Sequence, residues 1–205
     1  MGDKQLIERL KQHEDMNHAV DWNVLEGIID RDPEPDYQEG GVYYGQKKGG
    51  LIDGYGLMYC IDEFKDSNLF EGNWKLGTPI KGQCTYIMDN QWHKYDGTVD
   101  AKYLFTGYAN WCCEQGDKYV GSFEKGGSHG YGEYTYEDGD KYEGQWRHDE
   151  KHGLGQCILG DGSYEVGEYK KDQKFGEHTY YSKEGKIIEI RSYLQGKEGN
   201  YYNVI

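Results

Sequence analysis

Histidines, thiols and clustered acids are the residues of this chain with chemistry to offer. His129 and His152 each precede a glycine and stand 23 residues apart, and His148, Asp149 and Glu150 lie beside the second. Histidines and carboxylates make a metal or acid–base set when their spacing brings them to one face, as in HExxH. No such paired spacing occurs here. A histidine that recurs with the same neighbours reads instead as part of a structural turn. Cys60, Cys84 and Cys157 fall on alternating positions and read as small buried hydrophobes. The adjacent Cys112 and Cys113 must point to opposite faces of any strand, and no neighbouring base activates either thiol. The acids gather at turns and near the N-terminus, where solvation accounts for them. No GxSxG, Walker A, dinucleotide-binding or kinase motif is present. We therefore expect no enzyme, no cofactor and no metal.

The recurrence of the histidines belongs to a longer pattern. Tyr142 to Gly155 repeats Tyr119 to Gly132 position by position, and looser copies run back to residue 43. Units registered on an aromatic-x-Gly core begin at Tyr43, Phe70, Tyr95, Tyr119, Tyr142 and, with the aromatic replaced, Glu165; their spacings are 27, 25, 24, 23 and 23. A period of this length marks a tandem architecture in which one unit cannot bury its own apolar face. Within a unit, Tyr142, Gly144 and Trp146 alternate at period 2, Arg147 to Gly153 turns the chain, and Gly155, Cys157 and Leu159 alternate again. That is strand, turn, strand. Asp138-Gly139 and Asp161-Gly162 supply tight turns into the next unit.

Each core glycine (Gly45, Gly72, Gly97, Gly121, Gly132, Gly144, Gly155 and Gly167) shares a strand face with aromatics. A missing side chain there lets a neighbouring ring lie flat across the backbone, so these glycines are expected to be structural.

Ahead of the repeats, residues 3 to 30 read as two short helices. Leu6, Ile7 and Leu10 share one face of the first; Trp22, Leu25, Ile28 and Ile29 recur at helical spacing on the second. Pro33 and Pro35 then make a stiff linker. The chain divides into a helical acidic extension and linker over 1–39, a repeat sheet over 40–194, and a tail over 195–205.

Composition narrows the partners. The chain has 205 residues, 31 Gly, 21 Tyr and a formal net charge of −14, and residues 1 to 40 hold 11 acids against 4 basic residues. So acidic a chain repels phosphate backbones, which argues against nucleic acid. No window of about 18 apolar residues exists to span a membrane. The first residues lack the apolar stretch of a signal peptide and the Ser or Thr that N-myristoylation wants at position 6. Five scattered cysteines without CxxC fit a reducing compartment. We expect a cytoplasmic or cytoskeletal location, with an imported organellar one left open.

The run Tyr-x-Gly-x-Trp-x-x-x-x-x-His-Gly-x-Gly, as it stands from Tyr142 to Gly155 and with Phe123 for Trp from Tyr119 to Gly132, resembles the MORN (membrane occupation and recognition nexus) repeat. The resemblance covers residues 43 to about 190. Lys47 stands where an aromatic belongs, the second and third copies are a residue short before Gly82 and Gly107, and Glu165 and His178 replace Tyr and Gly in the last. It implies an all-β fold: an elongated single-layer antiparallel sheet of tandem hairpins, about six units, capped by the N-terminal helices and by Ile187 to Leu194.

The resemblance also implies a non-enzymatic scaffold protein. In it, an aromatic groove binds a helix or extended segment of a protein partner in a multi-subunit assembly. The candidate groove residues are Phe70, Trp74, Trp111, Tyr119, Phe123, Tyr134, Tyr142, Trp146 and Tyr169, because aromatics anchor interfaces at low entropic cost. Small proteins of this kind resemble parts of cilia and axonemes, such as the radial spoke head. An accessory subunit of another complex, a mitochondrial one included, stays open. A phosphoinositide-binding membrane adaptor is a further alternative: Lys47, Lys48, Lys125, Lys170, Lys171 and Lys174 form its basic stripe, which at about 1 kcal/mol per well-placed cation works against the net charge.

Overall fold

The computed structural model describes residues 41–61, 67–88, 91–194 and 197–203, and within these the chain forms strands and turns with no helix. The expected N-terminal helices lie outside the described residues. The chain divides into two compact units, Met1–Tyr103 and Leu104–Ile205.

In the first unit, β1 (Gly41–Lys48), β2 (Leu51–Ile61), β3 (Ser67–Lys75), β4 (Thr78–Met88) and β5 (Gln91–Val99) pair antiparallel in chain order. The second unit continues the rule with β6 (Phe105–Cys113), β7 (Lys118–Glu124), β8 (Gly127–Thr135), β9 (Lys141–Arg147), β10 (Glu150–Ile158), β11 (Tyr164–Lys170), β12 (Gln173–Tyr181), β13 (Ile187–Leu194) and β14 (Lys197–Asn203). Strand pairing therefore runs past the expected end of the sheet at residue 194. β13 does not close the array as a cap, because β14 pairs with its free edge.

Two kinds of turn alternate. Inside a repeat the strands are joined by two residues of positive φ: Leu76 and Gly77, Lys125 and Gly126, His148 and Asp149, Lys171 and Asp172. Such primed turns match the twist of the strands they join. The turn thus occupies two residues, where the sequence suggested all of 147 to 153. The remainder of that stretch is strand with a bulge, across which the register shifts between Lys151 and Gly155. Gly153 has φ +61 and its counterpart Gly130 φ +84, so the first glycine of each His-Gly-x-Gly supplies the left-handed bulge residue. His129 and His152 accordingly lie in strands β8 and β10.

Between repeats, Tyr136 N donates to Asp140 O (2.9 Å) and Gly139 N to Tyr136 O (3.0 Å), and the same pair of bonds recurs at Leu159–Ser163 and Ser182–Lys186. The loop at Cys113–Asp117 matches them 23 residues earlier.

Candidate functional site

Glycines build this face, and rings fill it. In the second unit Gly121 pairs with Gly132, Gly132 with Gly144, Gly144 with Gly155 and Gly155 with Gly167, a continuous glycine belt across five strands. The first unit has its own belt through Gly45, Gly56, Gly72, Gly82 and Gly97. A Cβ placed on Gly121 would lie 2.5 Å from the Tyr119 hydroxyl and 2.6 Å from Gly132 Cα. The tyrosine ring lies across the bare backbone, as the alternation implied. Gly107 is not part of a belt: it has φ +70, and the belt position in β6 is the buried Ala109, opposite Gly121.

The ring also repairs the ladder. Each bulge leaves one carbonyl without its strand partner, and the tyrosine three residues earlier donates to it: Tyr43 to Gln46 O (3.0 Å), Tyr119 to Ser122 O (3.0 Å) and Tyr142 to Gln145 O (3.0 Å). Tyr95 makes the same bond to Thr98 O at 2.6 Å. Such a hydrogen bond contributes about 0.5 to 1.5 kcal/mol, so the hydroxyl adds to what the ring supplies. Burial, with Tyr103 and Asp53 nearby, pushes the Tyr43 phenol up to about 12. Burial raises those of Tyr119 and Tyr142 as well.

The nine aromatics expected to line a groove divide by burial. Phe70, Trp74, Tyr119, Phe123, Tyr142, Trp146 and Tyr169 are buried, Tyr142 completely. They meet edge to face, as Tyr119 does Trp146 at 5.4 Å and Tyr142 does Tyr169 at 5.2 Å, and the Trp146 indole donates to Gly132 O at 3.2 Å. Such rings are core. Trp111 and Tyr134 are half-buried and keep a surface.

Above the buried floor of the second unit a less buried row remains. Trp111 and Tyr134 approach to 6.2 Å, Tyr134 and Tyr136 to 4.7 Å, and the Lys151 ammonium lies 4.9 Å from the Tyr142 ring centre and 5.3 Å from that of Tyr136. Tyr134 donates to Asp117 at 2.7 Å. Cys157 sits on the same face, its thiol pushed up by burial, with Tyr169 and Lys151 opposing the rise. A protonated thiol is a poor nucleophile. Cys112 is half-buried and Cys113 buried, on opposite strand faces as adjacency requires.

The last repeat exchanges its parts. Glu165 stands where tyrosine belongs and His178 where glycine belongs, and a Cβ on Gly167 would strike the His178 ring. The imidazole thus fills, from the opposite strand, the space that a tyrosine at 165 would take. Its Nε2 donates to Glu168 O at 2.8 Å, the same third-residue carbonyl that tyrosine serves elsewhere. The freed position holds a buried carboxylate, which accepts from Tyr169 (2.7 Å) and Lys174 (2.5 Å) with His178 Nδ1 at 3.8 Å. Burial pushes the Glu165 carboxyl up, but His178, Lys174, Tyr180 and Tyr169 outweigh it and hold it well below the usual carboxylate range. Lys174 also reaches Tyr180 (3.0 Å), which meets Tyr193 at 2.5 Å.

Several turn acids have partners that sequence reasoning assigned to solvent. Asp149 Oδ1 accepts from Ser128 N (2.6 Å) and Asp172 Oδ1 from Lys151 N (2.8 Å), each linking a turn to the preceding hairpin. At the other edge Asp117 accepts from Glu137 N (2.9 Å) and Asp140 from Gly160 N (2.8 Å). Both pairs recur at 23 residues, and that periodicity was the available signal.

The fold and this face define a class: a tandem β-hairpin protein whose repeats interlock through tyrosines laid on glycine. The MORN repeat family model matches residues 43–63, 119–141 and 142–164. One of these matches lies in the first unit and two lie in the second. No curated protein matches the chain.

Proposed function

We propose that the protein is a non-enzymatic scaffold subunit that holds a helix or extended segment of a protein partner on the ring-bearing face of the second unit. The supporting observation is the row of Trp111, Tyr134, Tyr136, Lys151, Tyr180 and Tyr193, half-exposed above a floor of buried rings. A rigid floor fixes these side chains in advance, which lowers the entropic cost of binding. Lys151 places positive charge on this face of an otherwise acidic chain, so the bound segment carries acids there. The resemblance to ciliary and axonemal MORN proteins makes a microtubule-based assembly the first location to examine, in the cytoplasm.

The phosphoinositide alternative draws less support. Two lysines of the basic stripe are engaged within the protein: Lys174 with Glu165, and Lys170 over the Phe175 ring at 3.3 Å.

Affinity capture from the native source with the full chain, compared among variants, tests the reading. Lys151→Glu and Tyr134→Ala should lose the captured partner while keeping most of the thermal stability. Tyr131→Ser and Leu154→Ser, on the opposite face, should keep it. The reverse pattern refutes the proposed face, and robust binding to phosphoinositide vesicles at about 0.15 M salt would favour the adaptor instead.

A further inference from the structure

A tandem array sets its partner a problem of register. The ring-bearing face of the second unit repeats every two strands, about 9.6 Å, so a segment that fits one repeat would also fit the next. One position breaks the repetition. In the strand register Ser128 lies opposite Phe123, Lys151 opposite Trp146 and Lys174 opposite Tyr169, which makes these three residues equivalent. Ser128 is buried, donates to Asp149 at 3.0 Å and brings no charge. The Lys151 ammonium lies 4.9, 5.3 and 5.9 Å from the ring centres of Tyr142, Tyr136 and Tyr169, and it makes no ion pair with a described carboxylate. Asp172 bonds its backbone N–H at 2.8 Å and not its ammonium. Lys174 does meet a carboxylate: Glu165, at the place of Tyr142, lies 2.5 Å from its ammonium, the acid 7% exposed and the lysine 32%. Arg191, the other cation over these rings, pairs with Glu189.

We infer, on the reading that this face holds a peptide segment, that Glu165 masks Lys174 so that an acidic residue of the partner docks at Lys151 alone and fixes a single register. An equal cation one repeat along would stabilise a second register of the same segment, and specificity is the difference between the two. A partner carboxylate brought to Lys174 meets Glu165 beneath it, and like charges in contact are unfavourable. Burial opposes the charge of Glu165, but His178, Lys174, Tyr180 and Tyr169 outweigh it, so the mask is ionised. The exchange of residues in the last repeat thus keeps the packing of the array while ending its electrostatic repetition.

A phage-displayed library of random peptides, selected on the immobilised full chain, tests this. The wild type should enrich one acidic position, and replacing that acid by serine in a synthetic copy should weaken binding about tenfold. Selection on Glu165→Gln should enrich a second acid about 10 Å from the first, about three residues away in an extended peptide or about seven in a helix. Should that variant fold poorly, Glu165→Tyr with His178→Gly removes the same carboxylate by rebuilding the regular repeat, and should select the same pair of acids. Lys151→Gln should weaken the wild-type peptide about tenfold, and adding Glu165→Gln should restore its binding one repeat along. Carbodiimide cross-linking with mass spectrometry reads the shift: the peptide acid should join Lys151 in the wild type and Lys174 in that double variant.

Selected peptides that bind Tyr134→Ala and Lys151→Glu as tightly as the wild type would sit elsewhere, refuting the proposed face and the mask with it. Peptides that lose binding to those two variants, yet carry the same single acid and cross-link to Lys151 alone when Glu165 is replaced in either way, overturn the mask and leave the face standing. So does a wild type that already enriches two acids and cross-links at both lysines.

Discussion

The repeats beginning at Tyr142 and Glu165 keep the same contacts with different residues. In the first, a tyrosine ring from β9 lies over Gly144 and Gly155 and its hydroxyl donates to Gln145 O. In the second, a histidine from β12 lies over Gly167 and its Nε2 donates to Glu168 O. The repeat therefore requires one ring over the glycine belt and one donor at the bulge carbonyl, from either strand. Moving the ring across frees position 165 for a buried carboxylate, and charge enters the face without the loss of a core contact.

The largest expected effect comes from removing the ring that the regular repeat depends on. Tyr142→Ala should cost about 3 to 5 kcal/mol in denaturant unfolding, as truncations of buried aromatics do; a loss below about 1 kcal/mol would show that the floor is not core. Gly144→Val attacks the same contact from below. A Cβ there lies 2.6 Å from Gly155 Cα, which cannot yield as a side chain would, so the upper end of the usual 1 to 3 kcal/mol for overpacking is expected.

The exchange itself can be reversed. Glu165→Tyr alone crowds the space that His178 fills, and His178→Gly alone leaves it empty, so each should cost about 2 kcal/mol. Together they rebuild the Tyr-x-Gly repeat and should recover about 1 to 3 kcal/mol of coupling. A double variant as unstable as the sum of the two would show that the substitutions are independent.

Acid should distinguish the two repeats next. A carboxyl whose folded pKa is depressed binds its proton first in the unfolded chain, so its stabilisation is present above the ordinary carboxylate pKa and is lost as pH falls toward the folded value. Glu165→Gln should lower stability at pH 7 and flatten its decline below pH 4.5 in urea melts at stepped pH; an unchanged slope would count against the buried carboxylate. In the alkaline range the sign follows from Tyr43, whose phenol is raised to about 12. Its contribution falls as pH rises from about 10 through 12. The smallest effect expected is at Asp172→Ala, which removes one hairpin-to-hairpin bond near the surface, about 1 kcal/mol. Asp172→Asn should retain most of it, and equal loss in both would point to the charge.

Much of the array was legible because strand alternation and tandem period reinforce each other: Tyr142, Gly144 and Trp146 declare one face, and their copy at Tyr119 fixes the register. The roles of the rings were less legible. Period 2 with its glycines implies that a ring lies flat across the backbone, but not which of the rings sharing the face does so. Only the spacing across strands, Gly121 opposite Gly132, decides that Tyr119 lies flat and is consumed as core. Asp149 and Asp172 were misassigned for a similar reason: a turn acid looks solvated in one hairpin and finds its partner only in the next.

Pairing in chain order has a kinetic consequence. Within each unit a strand bonds only to the strands before and after it, so most contacts join residues a few tens of positions apart. Slow folding of β proteins comes from closing long loops before distant strands can pair, and here no such closure is needed. A hairpin such as β9 and β10 can form on the microsecond scale typical of its kind, then serve as the edge on which its neighbours assemble in either direction. During synthesis each repeat could pair as soon as it clears the ribosome, without waiting for the C-terminus to be made.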